Sequence, residues 1–213
     1  MTTVNGYSLD PVVLRALDLG FRWLPEKNLI ASLSVYHYSY QDPIALHFDD
    51  PIVNMDDPMN PYVVQPLHDV NGGSVTLWGG EFWTDYKPST RVRLRGWISY
   101  FREVYRYPEG STTGVQPGQT PRWQGSLQGS WDPCSTVKLN ADWRYVDPLP
   151  SIQVPAYQTM DVRVAWCPSK SWELAVTGRN LFSPKHLEFI SPYLEVASSM
   201  VERSYLLSLA WKW

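Results

Sequence analysis

The chain has 213 residues, of which 44% are hydrophobic, 14% are aromatic and only 18% are charged, with a formal net charge of −3. The aromatic content excludes a disordered chain, and the few basic residues exclude a dedicated nucleic-acid-binding protein. Two cysteines exclude a disulfide scaffold or a zinc module. No run approaches the ~18 consecutive apolar residues of a membrane helix.

An alternation of apolar and polar residues with a period of two recurs along the chain and is typical of β-strands with two different faces. It is clearest over residues 136–146, where apolar residues from Val137 to Tyr145 alternate with polar residues from Lys138 to Arg144. Each segment is near the ~9–11 residues that a tilted strand needs to cross a bilayer. The pattern predicts nine strands, at residues 13–23, 28–35, 74–87, 91–101, 123–131, 136–146, 157–166, 172–180 and 203–213.

The predicted connections alternate in length. Short turns are expected at 24–27, 87–90, 132–135 and 167–170, and long loops at roughly 41–73, 107–121, 147–156 and 181–202. Short turns on one rim and long loops on the other are typical of outer-membrane barrels, whose short turns face the periplasm. Residues 62–70 contain Pro66, which would break a spanning ladder, so we expect an extracellular hairpin there.

Aromatic residues precede each short turn and also end the chain, which predicts a girdle at the periplasmic lipid–water boundary. The expected girdle residues are Trp23, Tyr86, Trp131, Trp166 and Trp211. The fold class is therefore all-β, an antiparallel transmembrane β-barrel portion with about nine meandering strands. Since complete bacterial barrels usually have an even number of strands, we expect a preceding strand to be missing and the chain to form an open curved sheet.

Several segments resemble TonB-dependent outer-membrane receptors of the siderophore type. LRALDLGFRWLPEKNLIASLSVYHYSYQD and NGGSVTLWGGEFWTDYKPSTRVRLRGWISY are similar to two hairpins of that family. The most specific match is LNADWRYVDPLPSIQVPAYQTMDVRVAWCPSKSWELAVTGRNLFSPKHLEF, which resembles a run late in the barrel. The ending ERSYLLSLAWKW resembles the closing strand, whose terminal aromatic, here Trp213, is the signal for the barrel-assembly machinery.

The resemblance implies that residues 1–213 are the C-terminal portion of a barrel of 22 strands with a plugged lumen. The sequence shows no signal peptide, TonB box or plug domain. The implied function is uptake of a ferric siderophore or a similar scarce nutrient in the outer membrane, with membrane lipid and the TonB complex as partners. Because uptake needs the plug, we expect that this polypeptide does not transport alone.

Two other functions stay open. A self-standing small outer-membrane barrel with a structural or adhesive role would have an even number of strands. A soluble β-sandwich that binds a ligand would need polar residues at positions where the sequence has Leu139, Trp143, Val162 and Val164.

Candidate ligand contacts are the aromatic and basic residues nearest the loop rim, namely Arg102, Tyr105, Arg106, Arg122 and Tyr157. Arg91, Arg93 and Arg95 could draw an anionic chelate. However, they follow a short turn, so we expect them to pair with carboxylates inside the barrel or with the plug.

The remaining polar residues predict little chemistry. His37, His47, His68 and His186 form no tight pair at metal-ligand spacing, and His186 is interpreted as structural. An oxygen-rich loop with Asp49, Asp50, Asp56 and Asp57 could bind calcium, but a solvated loop is the favoured interpretation. Cys134 and Cys167 are expected to be free thiols because their turns are too far apart for a disulfide. No catalytic set stands out, so we expect neither enzymatic activity nor a cofactor.

Overall fold

The computed structural model describes residues 9–56, 59–112, 117–191 and 198–211. These residues form sixteen strands and one short 3-10 helix. The strands are β1 (Val13–Glu26), β2 (Leu29–Gln41), β3 (Ile44–Phe48), β4 (Ile52–Asn54), β5 (Tyr62–Val64), β6 (Leu67–Asn71), β7 (Ser74–Ser89), β8 (Val92–Arg106), β9 (Ser111–Thr112), β10 (Trp123–Cys134), β11 (Val137–Val146), β12 (Tyr157–Ser169), β13 (Trp172–Arg179), β14 (Lys185–His186), β15 (Val201–Glu202) and β16 (Ser204–Trp211). The 3-10 helix is Pro150–Ile152.

The long strands make one nine-stranded sheet in the order β1-β2-β7-β8-β10-β11-β12-β13-β16, which follows the chain. The registers from β8 to β16 are antiparallel throughout. The nine predicted strands are confirmed as the strands of this sheet, with the last one described as far as Trp211. In this order β1 and β16 are the two ends of the sheet, so the sheet is open, as expected.

One face of this sheet, here called the apolar face, shows large apolar side chains to the solvent. Phe21 is 66% exposed, Leu207 is 68% exposed and Leu209 is 67% exposed. The buried apolar residues of these strands are small ones, such as Ala165 and Ala175. A soluble sandwich would bury its large side chains instead. An apolar surface of this extent requires an apolar partner, which argues against the soluble-sandwich interpretation.

The opposite face, here called the polar face, is linked by hydrogen bonds between neighbouring strands. Asp142 accepts hydrogen bonds from Ser126 Oγ at 3.1 Å and from Gln128 Nε2 at 2.7 Å. Arg163 Nη2 donates to Glu173 Oε1 at 2.6 Å. The period of two therefore separates two environments: one face on which polar and charged side chains pair with one another, and one face on which large apolar side chains are exposed.

The short turns are tighter than predicted. The turns contain only two residues each, at 27–28, 90–91, 135–136 and 170–171, because the strands continue through Pro25, Pro88, Pro133 and Pro168. The registers shift between Trp131 and Cys134, and again between Trp166 and Ser169, which is the geometry of a β-bulge. Proline has no N–H to donate to the neighbouring strand. A bulge tolerates it because the extra residue of a bulge is left unpaired. The prediction that these prolines lie in turns was wrong. Each proline lies inside a strand, two positions before the first residue of the turn.

The hairpins are joined at this rim by a repeated hydrogen bond. In each of three hairpins, the residue before the proline donates its backbone N–H to the second turn residue of the neighbouring hairpin. The bonds are Lys87 to Asn28 at 2.8 Å, Asp132 to Arg91 at 2.8 Å and Cys167 to Thr136 at 2.7 Å. The rim formed by these turns, called the turn rim, therefore has one local geometry repeated along the sheet.

The chain divides into two compact units. The first comprises Met1–Leu17, Tyr36–Trp78 and Glu103–Pro117, and the second comprises Asp18–Val35, Gly79–Arg102 and Gly118–Trp213. The first unit contains two small sheets, with strand orders β6-β3-β9 and β4-β5. Residues 62–70 contribute β5 and β6 to these small sheets and no strand to the nine-stranded sheet, as predicted. They do not form a hairpin with each other, because β5 pairs with β4 and β6 pairs with β3.

The second unit contains a small hydrophobic core between two of the long connections. Leu149, Ile152 and Val154 are buried, and Leu187 and Ile190 pack against them. Leu149 and Val154 also exchange backbone hydrogen bonds of 2.8 and 3.1 Å. This core fixes two loops against each other and so orders the polar residues beside them.

Candidate functional site

Five polar residues join the polar face to the connection between β13 and β16. This loop-anchor cluster consists of Arg144, Tyr157, Asn180, His186 and Glu188. Arg144 Nη2 donates to Glu188 Oε1 at 2.6 Å, and its guanidinium lies 5.7 Å from the centre of the Tyr157 ring. The His186 ring stacks on Tyr157, with ring centres 4.3 Å apart. The cluster thereby ties the connection to both β11 and β12.

The hydrogen-bond partners of His186 indicate which ring nitrogen accepts and which donates. The side chain of Asn180 donates from Nδ2 to the carbonyl of Val201 at 3.1 Å, so the same donor group faces His186 Nδ1 at 3.2 Å. The proton of the imidazole is then on Nε2, which lies 3.1 Å from Glu188 Oε1. Asn180 has a φ of 56°, in the left-handed region that asparagine tolerates. His186 is thus a buried structural residue, as interpreted from the sequence.

A cleft of about 360 Å³ lies beside the loop-anchor cluster. Asp142 and Asp161 stand directly opposite each other on β11 and β12 and both line it. Asn180 Oδ1 is buried and has no hydrogen-bond partner among the described residues. Arg144 and Arg179 line the same cleft, so its lining carries both donor and acceptor groups.

Replacing Glu188 by Ala is expected to loosen the connection between β13 and β16. The change removes two hydrogen bonds to a carboxylate that is half exposed, which together stabilise the folded loop by about 1–2 kcal/mol. We expect backbone amides of residues 185–190 to exchange with deuterium roughly tenfold faster.

Glu202→Ala is the matched control for Glu188→Ala. Its carboxylate lies 2.8 Å from Lys185 Nζ on the same loop, but both side chains are more than 60% exposed. Glu202 raises the pKa of Lys185, yet solvent screens such a pair. Equal exchange rates in the two variants would show that the loop-anchor cluster does not hold the loop.

The predicted ligand contacts fall in different surroundings. Tyr157 belongs to the loop-anchor cluster. Tyr105 donates a hydrogen bond to Glu103 Oε2 at 3.0 Å, and its ring lies 5.8 Å from that of Tyr107. Arg102, Arg106 and Arg122 are exposed. Their role as ligand contacts stays a prediction.

Arginines after the second short turn pair within the sheet. Arg93 makes a two-pronged ion pair with the buried carboxylate of Asp85, in which Nε lies 2.9 Å from Oδ1. Arg91 Nη1 donates to the carbonyl of Pro133 at 3.3 Å. Arg95 lines a second, smaller cleft of the polar face beside Asp142. The Arg93 pair agrees with the expectation that these residues meet carboxylates of the barrel interior.

The aromatic residues of the turn rim have their side chains on the apolar face. Trp23, Trp131, Trp166 and Trp211 are each more than half exposed, and Tyr86 is 38% exposed. The rings of Trp172 and Trp211 stack with centres 5.8 Å apart. Their girdle role stays a prediction, and Trp213 lies outside the described residues.

Two carboxylates of the oxygen-rich loop, those of Asp49 and Asp56, have hydrogen-bond partners. Asp49 Oδ2 lies 3.1 Å from His68 Nδ1, the backbone N–H of Asp56 donates to Asn54 Oδ1 at 2.8 Å, and Asp57 lies outside the described residues. Both cysteines are free thiols.

The described residues lack two further features. Across residues 9–56, 59–112, 117–191 and 198–211, no group of three or more His, Cys, Asp or Glu side chains is placed to hold a metal ion. The same residues include no helix with the length and apolar character needed to span a membrane.

The long antiparallel meander, its exposed apolar face and its ion-paired polar face define a barrel-type all-β protein. A family model described as "TonB dependent receptor-like, beta-barrel" matches residues 1–181. The chain therefore belongs to the TonB-dependent receptor β-barrel family, which consists of transport receptors of the Gram-negative outer membrane. No curated protein matches the sequence.

Solved structures of receptors share this fold at low sequence identity. The siderophore receptor PiuA from Acinetobacter baumannii is 16% identical with a TM-score of 0.71, over 94% of this chain and 28% of PiuA. The ferric-catecholate import receptor Fiu from E. coli K12 is 13% identical with a TM-score of 0.70, over 95% of this chain and 28% of Fiu. The iron transporter FrpB from Neisseria meningitidis is 13% identical with a TM-score of 0.62, over 93% of this chain and 31% of FrpB. The chain thus spans less than a third of these proteins.

Proposed function

We propose that residues 1–213 supply the C-terminal strands of an outer-membrane receptor that takes up a ferric siderophore or a similar scarce nutrient. We further propose that they do not transport alone. The observation that carries the proposal is the nine-stranded sheet with one exposed apolar face and one ion-paired face. In a barrel wall, the first face meets lipid and the second meets the aqueous interior.

The length of the apolar face fits a membrane. On β10, Trp123 and Trp131 lie eight residues apart on this face, and Leu127 lies midway between them. At ~3.4 Å per residue, a strand tilted by about 40° covers roughly 21 Å of membrane depth between these two tryptophans. The apolar band of outer-membrane barrels is about 25 Å tall. Aromatic rings at both ends of the band are therefore suited to the two lipid–water boundaries.

Strand direction supports a role as part of a larger barrel. In an antiparallel meander of nine strands, β1 and β16 run in the same direction. They cannot pair with each other in an antiparallel way. Two copies inserted in the same orientation cannot close in that way either, because β16 of one copy would meet β1 of the other in parallel. Closure requires an odd number of additional strands, which agrees with the even total usual in bacterial barrels.

We base the proposed ligand and partners on the structural neighbours. Siderophore receptors and iron transporters are among the structural neighbours, so an iron chelate is the proposed ligand class. Arg102, Tyr105, Arg106, Arg122 and Tyr157 are the proposed contacts. The TonB complex would supply energy, and the barrel-assembly machinery would recognise Trp213.

The test is to export the chain behind a bacterial signal sequence in a strain that lacks its own siderophore receptors. We expect it to accumulate with the outer membrane or as aggregates, and to give no uptake of radioactive iron supplied as a catecholate or a hydroxamate chelate. Uptake by this chain alone would overturn the proposal. A closed, heat-modifiable monomer without uptake would favour the self-standing small barrel.

A further inference from the structure

A cavity of about 440 Å³ lies at the turn rim, where residues of the β10–β11 hairpin, the β12–β13 hairpin and β16 line it together. Lys138 and Glu173 of the polar face are among these residues, so the cavity lies on that side of the sheet. All of its lining residues belong to the second unit. Its volume falls within the roughly 300–1,000 Å³ that small-molecule sites occupy.

Backbone contacts hold the walls of this cavity, called the rim cavity. The N–H of Cys167 donates to the carbonyl of Thr136 at 2.7 Å and so joins the two hairpins directly beside it. On the third side, Ala210 of β16 stands opposite Glu173 of β13. A side chain as small as that of Ala210 leaves the space in front of Glu173 open. The rim cavity is thus set by strand pairing rather than by the rotamers of long side chains.

The lining of the rim cavity carries an excess of positive charge. It contains two lysines, Lys138 and Lys170, and one carboxylate, that of Glu173. The carboxylate already pairs with Arg163, whose Nη2 lies 2.6 Å from Glu173 Oε1. Among the residues that the structure describes, no ion pair within 4 Å and no side-chain hydrogen bond engages the ammonium group of either lysine. An anion is therefore the ligand that these charges favour.

Four hydroxyl groups add hydrogen-bonding capacity to the two ammonium groups. They belong to Ser135, Thr136, Ser169 and Ser171. Hydroxyl and ammonium groups both donate hydrogen bonds, and the oxygens of a phosphate group accept several at once. A phosphate monoester carries a charge of about −1.5 to −2 at pH 7, which matches two ammonium groups. The single charge of a carboxylate would leave one of them uncompensated.

We propose that the rim cavity binds a phosphate group, either as inorganic phosphate or as the monoester of a small soluble compound, with Lys138 and Lys170 as the charged contacts. A soluble source fits the polar face, which in a barrel wall is turned away from lipid. The inference goes beyond the proposed uptake function and does not depend on it, because a receptor strand set without this site would still form the barrel wall.

The test is a calorimetric titration of the full chain in a non-ionic detergent at low ionic strength, with inorganic phosphate and with glycerol phosphate. We expect one saturable site for each probe and no competition from acetate. Lys138→Gln and Lys170→Gln should each weaken binding about tenfold or more, since hydrogen bonds to charged groups are among the stronger ones. Ala210→Phe keeps every charge but fills the space, so it should also abolish binding.

Lys27→Gln is the matched control, because Lys27 is an exposed lysine in the first two-residue turn of the same rim and does not line the cavity. It should leave phosphate affinity unchanged, and near-ultraviolet circular dichroism of each variant checks the fold. Unchanged affinity in a folded Lys138→Gln, Lys170→Gln double variant would overturn the proposal, as would an equal loss in Lys27→Gln.

A second titration separates the two sources of a phosphate group. The chain is placed in phosphatidylcholine bilayers with and without phosphatidylglycerol, and glycerol phosphate is added to both. We expect the same affinity in the two bilayers. Competition by phosphatidylglycerol that disappears in the double variant would overturn the soluble source and assign the cavity to a lipid headgroup.

Discussion

Replacing Leu127 by Arg is expected to destabilise the membrane-inserted sheet by about 2–4 kcal/mol, the usual effect of a basic residue at the bilayer midplane of a barrel. Leu127 is 54% exposed on the apolar face. It lies across from Gly96 on β8 and Trp143 on β11. Neither cross-strand partner carries a carboxylate to neutralise a guanidinium, so the charge would have to enter the hydrocarbon or distort the bilayer.

Urea unfolding in phospholipid vesicles, followed by tryptophan fluorescence, measures this effect. Gln128→Arg is the matched control, since Gln128 is the next residue along the strand and lies on the polar face. Its side chain donates to Asp142 at 2.7 Å, so an arginine there has a carboxylate to meet. Because Arg95 lies directly across from this position on β8, we expect some loss of stability, but a smaller one than in Leu127→Arg. If Gln128→Arg were the damaging change and Leu127→Arg the harmless one, the assignment of the two faces would be reversed.

Gly73→Ala is expected to destabilise the first unit by about 2–4 kcal/mol. Gly73 has a φ of 82°, and a Cβ there would lie within 3.0 Å of backbone atoms of Arg106 and Tyr107. The carbonyl of Gly73 also accepts a hydrogen bond from the N–H of Asp42 at 3.3 Å. The methyl group would meet rigid backbone rather than a flexible side chain, so two chain segments would have to separate.

Gly20→Ala provides the comparison for this prediction. No atom lies within 4 Å of a Cβ built at Gly20, so we expect unchanged or slightly higher stability, because alanine restricts the unfolded chain. Hydrogen exchange of β3 and β6 reports on the first unit directly. Protection of these strands that is as high in Gly73→Ala as in the wild-type chain would show that the close approach to Arg106 does not hold the unit together.

The nine long strands could be predicted because each alternates between two faces that meet different surroundings. Residues 136–146 illustrate this, since every second residue from Val137 to Tyr145 lies on the apolar face of β11. The alternation that favours each strand involves residues close together in the sequence, so a local pattern is enough to predict the strand.

Features that depend on register or on contacts between distant loops could not be predicted. The bulge that places Pro133 inside β10 depends on which residues of β11 lie opposite. The core of Leu149, Ile152 and Val154 forms only when Leu187 and Ile190 approach from another loop. Tyr157 was predicted as a ligand contact, but its stacking with His186 and the link from Arg144 to Glu188 arise from the same long-range packing. No periodic signal in the sequence marks these contacts.

The repeated hydrogen bond at the turn rim implies an order of assembly. Each acceptor, such as the carbonyl of Arg91, comes into position only when its own two-residue turn has closed, and it is then used by the following hairpin. Every hairpin thus supplies the acceptor carbonyl for the hairpin that follows it in the chain. Hairpins that are adjacent in the sheet are also adjacent in the sequence. A wall built in this way grows by whole hairpins. It can be lengthened or shortened by one such unit without altering the geometry of the remainder, so the hairpin, rather than the single strand, is the module of this architecture.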